Sequence, residues 1–140
     1  MKIIKLILCL IIASFSNNLF AQNEDLFGFM GSSKADILKV YSENQRIIND
    51  EYYELAFSMS SDTDLYFYFD NNLLCYRVIV QKKINEFENA KLILSGDFPK
   101  QRQKNENFLY WNSRMMALLI KLDNSIIITY EKIKPELLKQ

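Results

Sequence analysis

From Glu51 to Lys82, apolar and polar positions alternate in three runs separated by two polar turns, which predicts a three-stranded antiparallel meander. In the first run Tyr53, Leu55 and Phe57 alternate with Tyr52, Glu54 and Ala56. Ser58 to Thr63 is the first turn. In the second run Leu65, Phe67 and Phe69 alternate with Tyr66, Tyr68 and Asp70. Asp70-Asn71-Asn72 then reads as a tight hairpin, because Asn and Asp tolerate left-handed backbone. With Asn71 and Asn72 as a two-residue loop, Phe69 faces Leu74, Phe67 faces Tyr76 and Leu65 faces Val78, all on one face. The opposite face then pairs Tyr68 with Cys75 and Tyr66 with Arg77.

Helical spacing brackets this meander. Ala35, Ile37, Leu38 and Tyr41 form an apolar stripe, and Ser33 with Asp36 resembles a capping box that starts the helix. Ile84, Phe87, Ala90 and Leu94, with Ile93 beside them, predict a second helix after Lys82-Lys83, with stop signals at Gly96 and Pro99. Lys100 to Asn107 reads as a polar loop. Three more runs, Phe108 to Trp111, Met115 to Leu122 and Ile126 to Tyr130, predict strands. A two-residue loop at Asp123-Asn124 places Leu122 opposite Ser125 and splits the apolar faces. A three-residue loop, Asp123 to Ser125, is therefore expected, pairing Leu122 with Ile126, Ile120 with Ile128 and Leu118 with Tyr130. It places Asn124 or Ser125 near the left-handed region. Pro135 closes the last strand. The fold class is α+β, in the order helix-βββ-helix-βββ, with two helices packed on one face of an antiparallel sheet.

The amino-terminal residues change the picture of where such a domain works. Met-Lys-Ile-Ile-Lys is basic, Leu6 to Phe15 is almost wholly apolar, and Ala21 precedes Gln22. This is the pattern of a secretory signal peptide over residues 1–21, and the run is too short for a membrane span. Leu8 is too bulky for Cys9 to belong to a lipobox. The expected mature chain, Gln22 to Gln140, has 119 residues, enough for a single domain with no transmembrane segment. The expected location is periplasmic or secreted, and the Lys-, Ile- and Asn-rich composition points to an AT-rich bacterial genome. Removing Lys2 and Lys5 leaves 15 basic against 17 acidic residues, a net charge of −2, which gives no pull toward nucleic acid. Cys75 is the one cysteine left, so no intrachain disulfide is expected. It reads as a buried thiol, the sharper alternative being a mixed disulfide with another chain.

Gly31-Ser32-Ser33-Lys34-Ala35-Asp36-Ile37-Leu38 resembles the helix start of the β-lactamase inhibitor protein-like and SmpA/OmlA-like secreted domains. Leu65 to Leu73 is similar to their strand and hairpin, with Asn72 where Gly is usual. The paired cysteines of the inhibitor repeats and the lipobox of the SmpA/OmlA proteins are absent. The resemblance spans about a third of the chain. It implies a helix-plus-sheet fold that binds proteins or envelope components without catalysis.

The chemistry of the side chains narrows function by exclusion. The chain has no histidine, which removes the usual general base, most zinc sites and Ser-His or Cys-His pairs. It has three glycines and no phosphate-cradling loop. Asp62-Thr63-Asp64 opens like a calcium loop, but Phe67 and Leu73 stand where that loop needs Gly and Glu. Glu51 and Glu54 read as solvated strand-edge charges rather than a glycosidase pair beside Trp111. Lys100, Arg102 and Lys104 read as a solvated basic loop, with an anion or envelope-polymer contact as the alternative. No catalytic residue, cofactor or metal is expected. The aromatic face remains: Tyr66, Tyr68, Arg77 and Trp111 are the partner-binding candidates, since such side chains join apolar area to a polar tip. The expectation is a non-catalytic binding module for a protein or envelope component. The alternative is a small apolar-ligand-binding protein with its pocket between helices and sheet.

Overall fold

The computed structural model describes residues 28–41, 43 and 45–139. The expected signal peptide with its cleavage site lies outside the described residues. Helix α1 spans Lys34–Tyr41 and is followed by β1 (Arg46–Glu51), β2 (Glu54–Ser58), β3 (Thr63–Phe69) and β4 (Cys75–Lys82). Helix α2 (Phe87–Asp97) leads into β5 (Lys100–Lys104), β6 (Asn107–Trp111), β7 (Met115–Lys121) and β8 (Ile126–Lys132), and a short α3 (Pro135–Leu138) follows. All eight strands form one sheet in the order β1-β2-β3-β4-β8-β7-β6-β5, antiparallel throughout. Each half is a helix followed by a four-stranded meander, and the last strands of the two meanders join at the sheet centre.

Each half therefore has one strand more than the pattern predicts. The additional strands, β1 (RIINDE) and β5 (KQRQK), are the two edges of the sheet. Every β5 side chain is exposed, so neither of its faces imposes an apolar period. Charged edges of this kind also discourage pairing with another chain. A bulge between Ile47 and Asn49 interrupts the regularity of β1.

Helix α1 begins where the sequence places it: the Asp36 N–H donates to Ser33 Oγ at 3.2 Å, answering one orphan donor of the first turn. Helix α2 begins later than its pattern suggests. Ile84 lies outside it and is exposed, and Gly96 sits within the last turn rather than ending it.

The β3–β4 hairpin is offset from the expected register. Phe67 faces Val78 and Leu65 faces Val80, while Phe69 faces Cys75 across a bulge at Tyr76. The cause is Asp70. Its Oδ1 accepts the N–H of Asn72 (2.9 Å) and of Leu74 (3.1 Å), and Leu73 takes a left-handed φ of 57°, which widens the loop. Leu74 and Tyr76 are left exposed, and Cys75 turns into the core. Tyr68 consequently faces Arg77, and Tyr66 faces Ile79.

The β7–β8 hairpin also departs from expectation. Lys121 faces Ile126 and Ile120 faces Ile127, and the Leu122 N–H donates to the Ser125 carbonyl at 2.9 Å. This is the two-residue loop at Asp123-Asn124, with no left-handed residue in it; among the described residues the non-glycine left-handed ones are Leu73 and Asn105. The alternation argument failed because β7 and β8 are apolar on both faces, so no single apolar face selects the register.

One face of the sheet carries Leu55, Phe57, Leu65, Phe67, Val78 and Val80 from the first half and Ala117, Leu119, Ile126, Ile128 and Tyr130 from the second, all buried. Ile37 of α1 and Phe87, Ala90 and Leu94 of α2 belong to the same hydrophobic cluster. The Tyr41 ring lies 5.3 Å from Phe57 and 5.7 Å from Phe67, and the Phe87 ring 5.9 Å from Phe108. Burying each such large apolar side chain contributes roughly 1.5–3 kcal/mol.

Candidate functional face of the sheet

The opposite face is built from cross-strand rows. One row runs Glu54, Tyr68, Arg77, Glu131, Met116, Trp111 and Lys100 across β2, β3, β4, β8, β7, β6 and β5. The next runs Ala56, Tyr66, Ile79, Thr129, Leu118, Leu109 and Arg102 across the same strands. All four sequence candidates thus lie on this face, three of them in a single row. At ~4.8 Å per strand, Tyr68 and Trp111 stand about 19 Å apart, at opposite flanks of this face.

Their surroundings differ. Tyr66 and Tyr68 are half-buried on the β3 side. Burial pushes the Tyr68 phenol up to about 12, helped by the neighbouring Glu54 carboxylate. Burial raises Tyr66 as well. Arg77 is not a bare cation: its Nε donates to Glu131 Oε1, and its guanidinium lies 5.4 Å from the Tyr76 ring. Trp111 is not an exposed contact residue. It is 6% exposed, packed with Met116 and with Leu137 of α3, and the Arg102 guanidinium lies 5.9 Å from its ring. Pro135 opens α3, whose Leu137 packs against Trp111 and covers the end of the row.

Between these flanks a cavity of about 600 Å³ opens on the sheet, lined by all five strands from β4 to β8 and by α3. Its floor is Ile79, Leu109, Met116, Leu118 and Thr129, and Leu137 walls one side. Arg77, Arg102 and Lys134 bring positive charge to it, and Glu131 and Glu136 negative charge. A neighbouring cavity of about 310 Å³ shares Arg102, Leu109 and Leu118 and adds Lys104, Asn105 and Asn107. The volume lies in the range of small-molecule sites, roughly 300–1,000 Å³.

Sequence reasoning missed Ile79, Leu109, Leu118, Glu131 and the α3 wall. The available signal was the apolar character of both parities in Met115–Lys121 and Ile126–Lys132, which marks the second face of the sheet centre as apolar too, although most of its side chains are only half-buried.

Among the described residues the cavity lining contains no His or Cys, and its carboxylates are Glu131 and Glu136. Cys75 lies on the other face, 2% exposed, and burial pushes its thiol up to about 11. Its Sγ is 3.6 Å from the Arg77 carbonyl, to which the thiol donates. Asp62 is held below the ordinary carboxylate range by hydrogen bonds from Ser60 and Thr63, a local turn arrangement. Among the described residues no group of three or more His, Cys, Asp or Glu is placed to hold a metal ion, and no helix is long and apolar enough to cross a membrane. No family model, curated protein or solved structure matches the chain.

Proposed function

We propose that this protein is a secreted or periplasmic, non-catalytic binding module that works through the Tyr66–Arg77–Leu118 face of its sheet. In this reading α1 and α2 both pack on the Phe67 face. The ring contacts of Tyr41 with Phe57 and Phe67, and of Phe87 with Phe108, support that arrangement. The observation that carries the proposal is the opposite face. Ile79, Leu118, Ile120 and Ile127 are apolar there and only half-buried, and α3 covers Trp111 and Met116 beside them. A soluble chain that leaves such a patch at its sheet centre has a use for it. The resemblance to the inhibitor-like and SmpA/OmlA-like domains implies the same kind of role.

The small-ligand alternative is favoured by a cavity on the Tyr66 face, between α3 and the sheet, and not by one under α1 and α2. The test of the module is Leu118→Lys, a substitution whose ammonium can reach water from a half-buried site. Wild type and variant are incubated with envelope extract, and bound material is read by native mass spectrometry. The wild type should retain a protein or small molecule that the folded variant loses. Identical spectra from the two would count against this face.

A further inference from the structure

We infer that α3 is a latch that closes over an uncharged apolar molecule lying in the cavity against strands β4 to β8. The inference rests on the binding-module reading of this face and names the chemical class of its occupant.

The lining sets the class. Ile79, Leu109, Met116 and Leu118 form an apolar floor, and Leu137 walls one side. Arg77 and Glu131 answer each other in an ion pair. The Arg102 guanidinium is engaged over the Trp111 ring, and Lys134 and Glu136, of opposite charge, are exposed at the α3 rim. An ion settling on this floor would give up water and meet charges that are already answered or solvated. An uncharged apolar molecule gains by leaving water and carries no such cost. Thr129 is the neutral polar side chain among the described lining residues, and its hydroxyl can hold one hydroxyl or carbonyl group of the ligand.

The attachment of α3 makes it a latch. Leu137 is its buried residue, whereas Leu138, Pro135 and Glu136 are exposed. Lys134 at its N-cap makes no side-chain capping bond, and a bond across the turn runs from the Leu137 N–H to the Lys134 carbonyl at 3.0 Å. Leu137 packs with Trp111 and Met116 in a cluster separate from the main core. Burial of one leucine is opposed by the entropy of ordering a helical turn, so docked and lifted α3 lie close in free energy.

Met116 and Leu137 both line the cavity. A molecule on the floor therefore touches the latch and the residue on which the latch sits. It adds apolar contact that only the docked state receives, and by linkage it draws α3 down. Lifting α3 removes that wall and loosens the ligand.

The test uses the purified protein and two fluorescent probes. N-phenyl-1-naphthylamine is uncharged, and 8-anilinonaphthalene-1-sulfonate carries the same rings with a sulfonate added. The naphthylamine should bind one to one, about tenfold more tightly than the sulfonate. Hydrogen exchange read by mass spectrometry follows α3. With the naphthylamine at about ten times its dissociation constant, the α3 amides should exchange about tenfold more slowly than in the ligand-free protein. Leu137→Ser should speed α3 exchange and weaken the naphthylamine about five- to tenfold, with the circular dichroism of the sheet unchanged. Leu118→Lys should abolish binding while ligand-free α3 exchange keeps its wild-type rate, which separates the floor from the latch.

Equal or tighter binding of the sulfonate, α3 exchange indifferent to bound naphthylamine, or wild-type affinity in Leu137→Ser overturns the inference. The exchange comparison is made on the wild type, so it decides even where Leu137→Ser fails to fold. If the naphthylamine does not bind while Leu118→Lys still loses material from envelope extract, the inference fails and the binding module stands. If neither experiment responds, both fall.

Discussion

Cys75 should make the stability of this protein fall at alkaline pH in a way that one substitution removes. The thiol is 2% exposed in the core cluster, and burial lifts it from an ordinary value of 9.0 to about 11. Because the folded value is raised, the unfolded chain releases this proton first. Between the two values the folded chain holds more protons than the unfolded chain, and stability falls as pH rises. The contribution is fully present below pH ~9 and is lost as pH rises through about 11; by pH ~10.5 the loss is roughly 2 kcal/mol. Cys75→Ala removes the titration and leaves a small cavity costing about 1–2 kcal/mol at neutral pH. The wild type should therefore be the more stable protein at pH ~7, and the two should converge near pH ~10.5. Urea denaturation of both across this range measures the gap. The buried Tyr130 phenol, also raised, lowers the stability of both proteins alike and cancels in the difference. A gap that stays constant from neutral pH to pH ~10.5 would refute the reasoning, as would Cys75 reacting in the native protein at the rate of a free thiol.

The register of β3 and β4 can be tested by a contrast between two aromatic residues. Phe67→Ala should cost about 3–5 kcal/mol, whereas Tyr76→Ala, at the exposed bulge, should cost about 0.5 kcal/mol or less; the expected two-residue loop would have made both expensive. Asp70→Ala removes the acceptor of two loop N–H groups and should cost about 1–2 kcal/mol in thermal or urea unfolding; a neutral result would mean that the loop does not depend on that carboxylate.

The legibility of the fold varied from element to element. Helix α1 could be read because Ser33 caps it and Ile37 faces the core, both local facts. The hairpin at Asp70 was visible, but its register was not. A two-residue loop satisfies the alternation of Phe67 and Phe69, and only the three-dimensional reach of the Asp70 carboxylate to the Leu74 N–H selects the wider loop. Strands β1 and β5 left no apolar period because almost all of their side chains are exposed, so no face is selected for apolar residues. Of the candidate face, Tyr66, Tyr68, Arg77 and Trp111 could be singled out by residue type. Nothing local indicated that Glu131 pairs with Arg77 or that Leu137 closes over Trp111.

The sequence by itself determined the period of most elements, the two distinct sides of β3 and the absence of histidine chemistry, because these depend on neighbours within a few residues. The tertiary structure alone decided that the two meanders join at β4 and β8, placing Ile79 beside Thr129 and Leu118 beyond it. The cavity exists only through that junction. Its walls include Arg77 and Glu131, 54 residues apart in the chain, and chain-local patterning carries no information about contacts of that range.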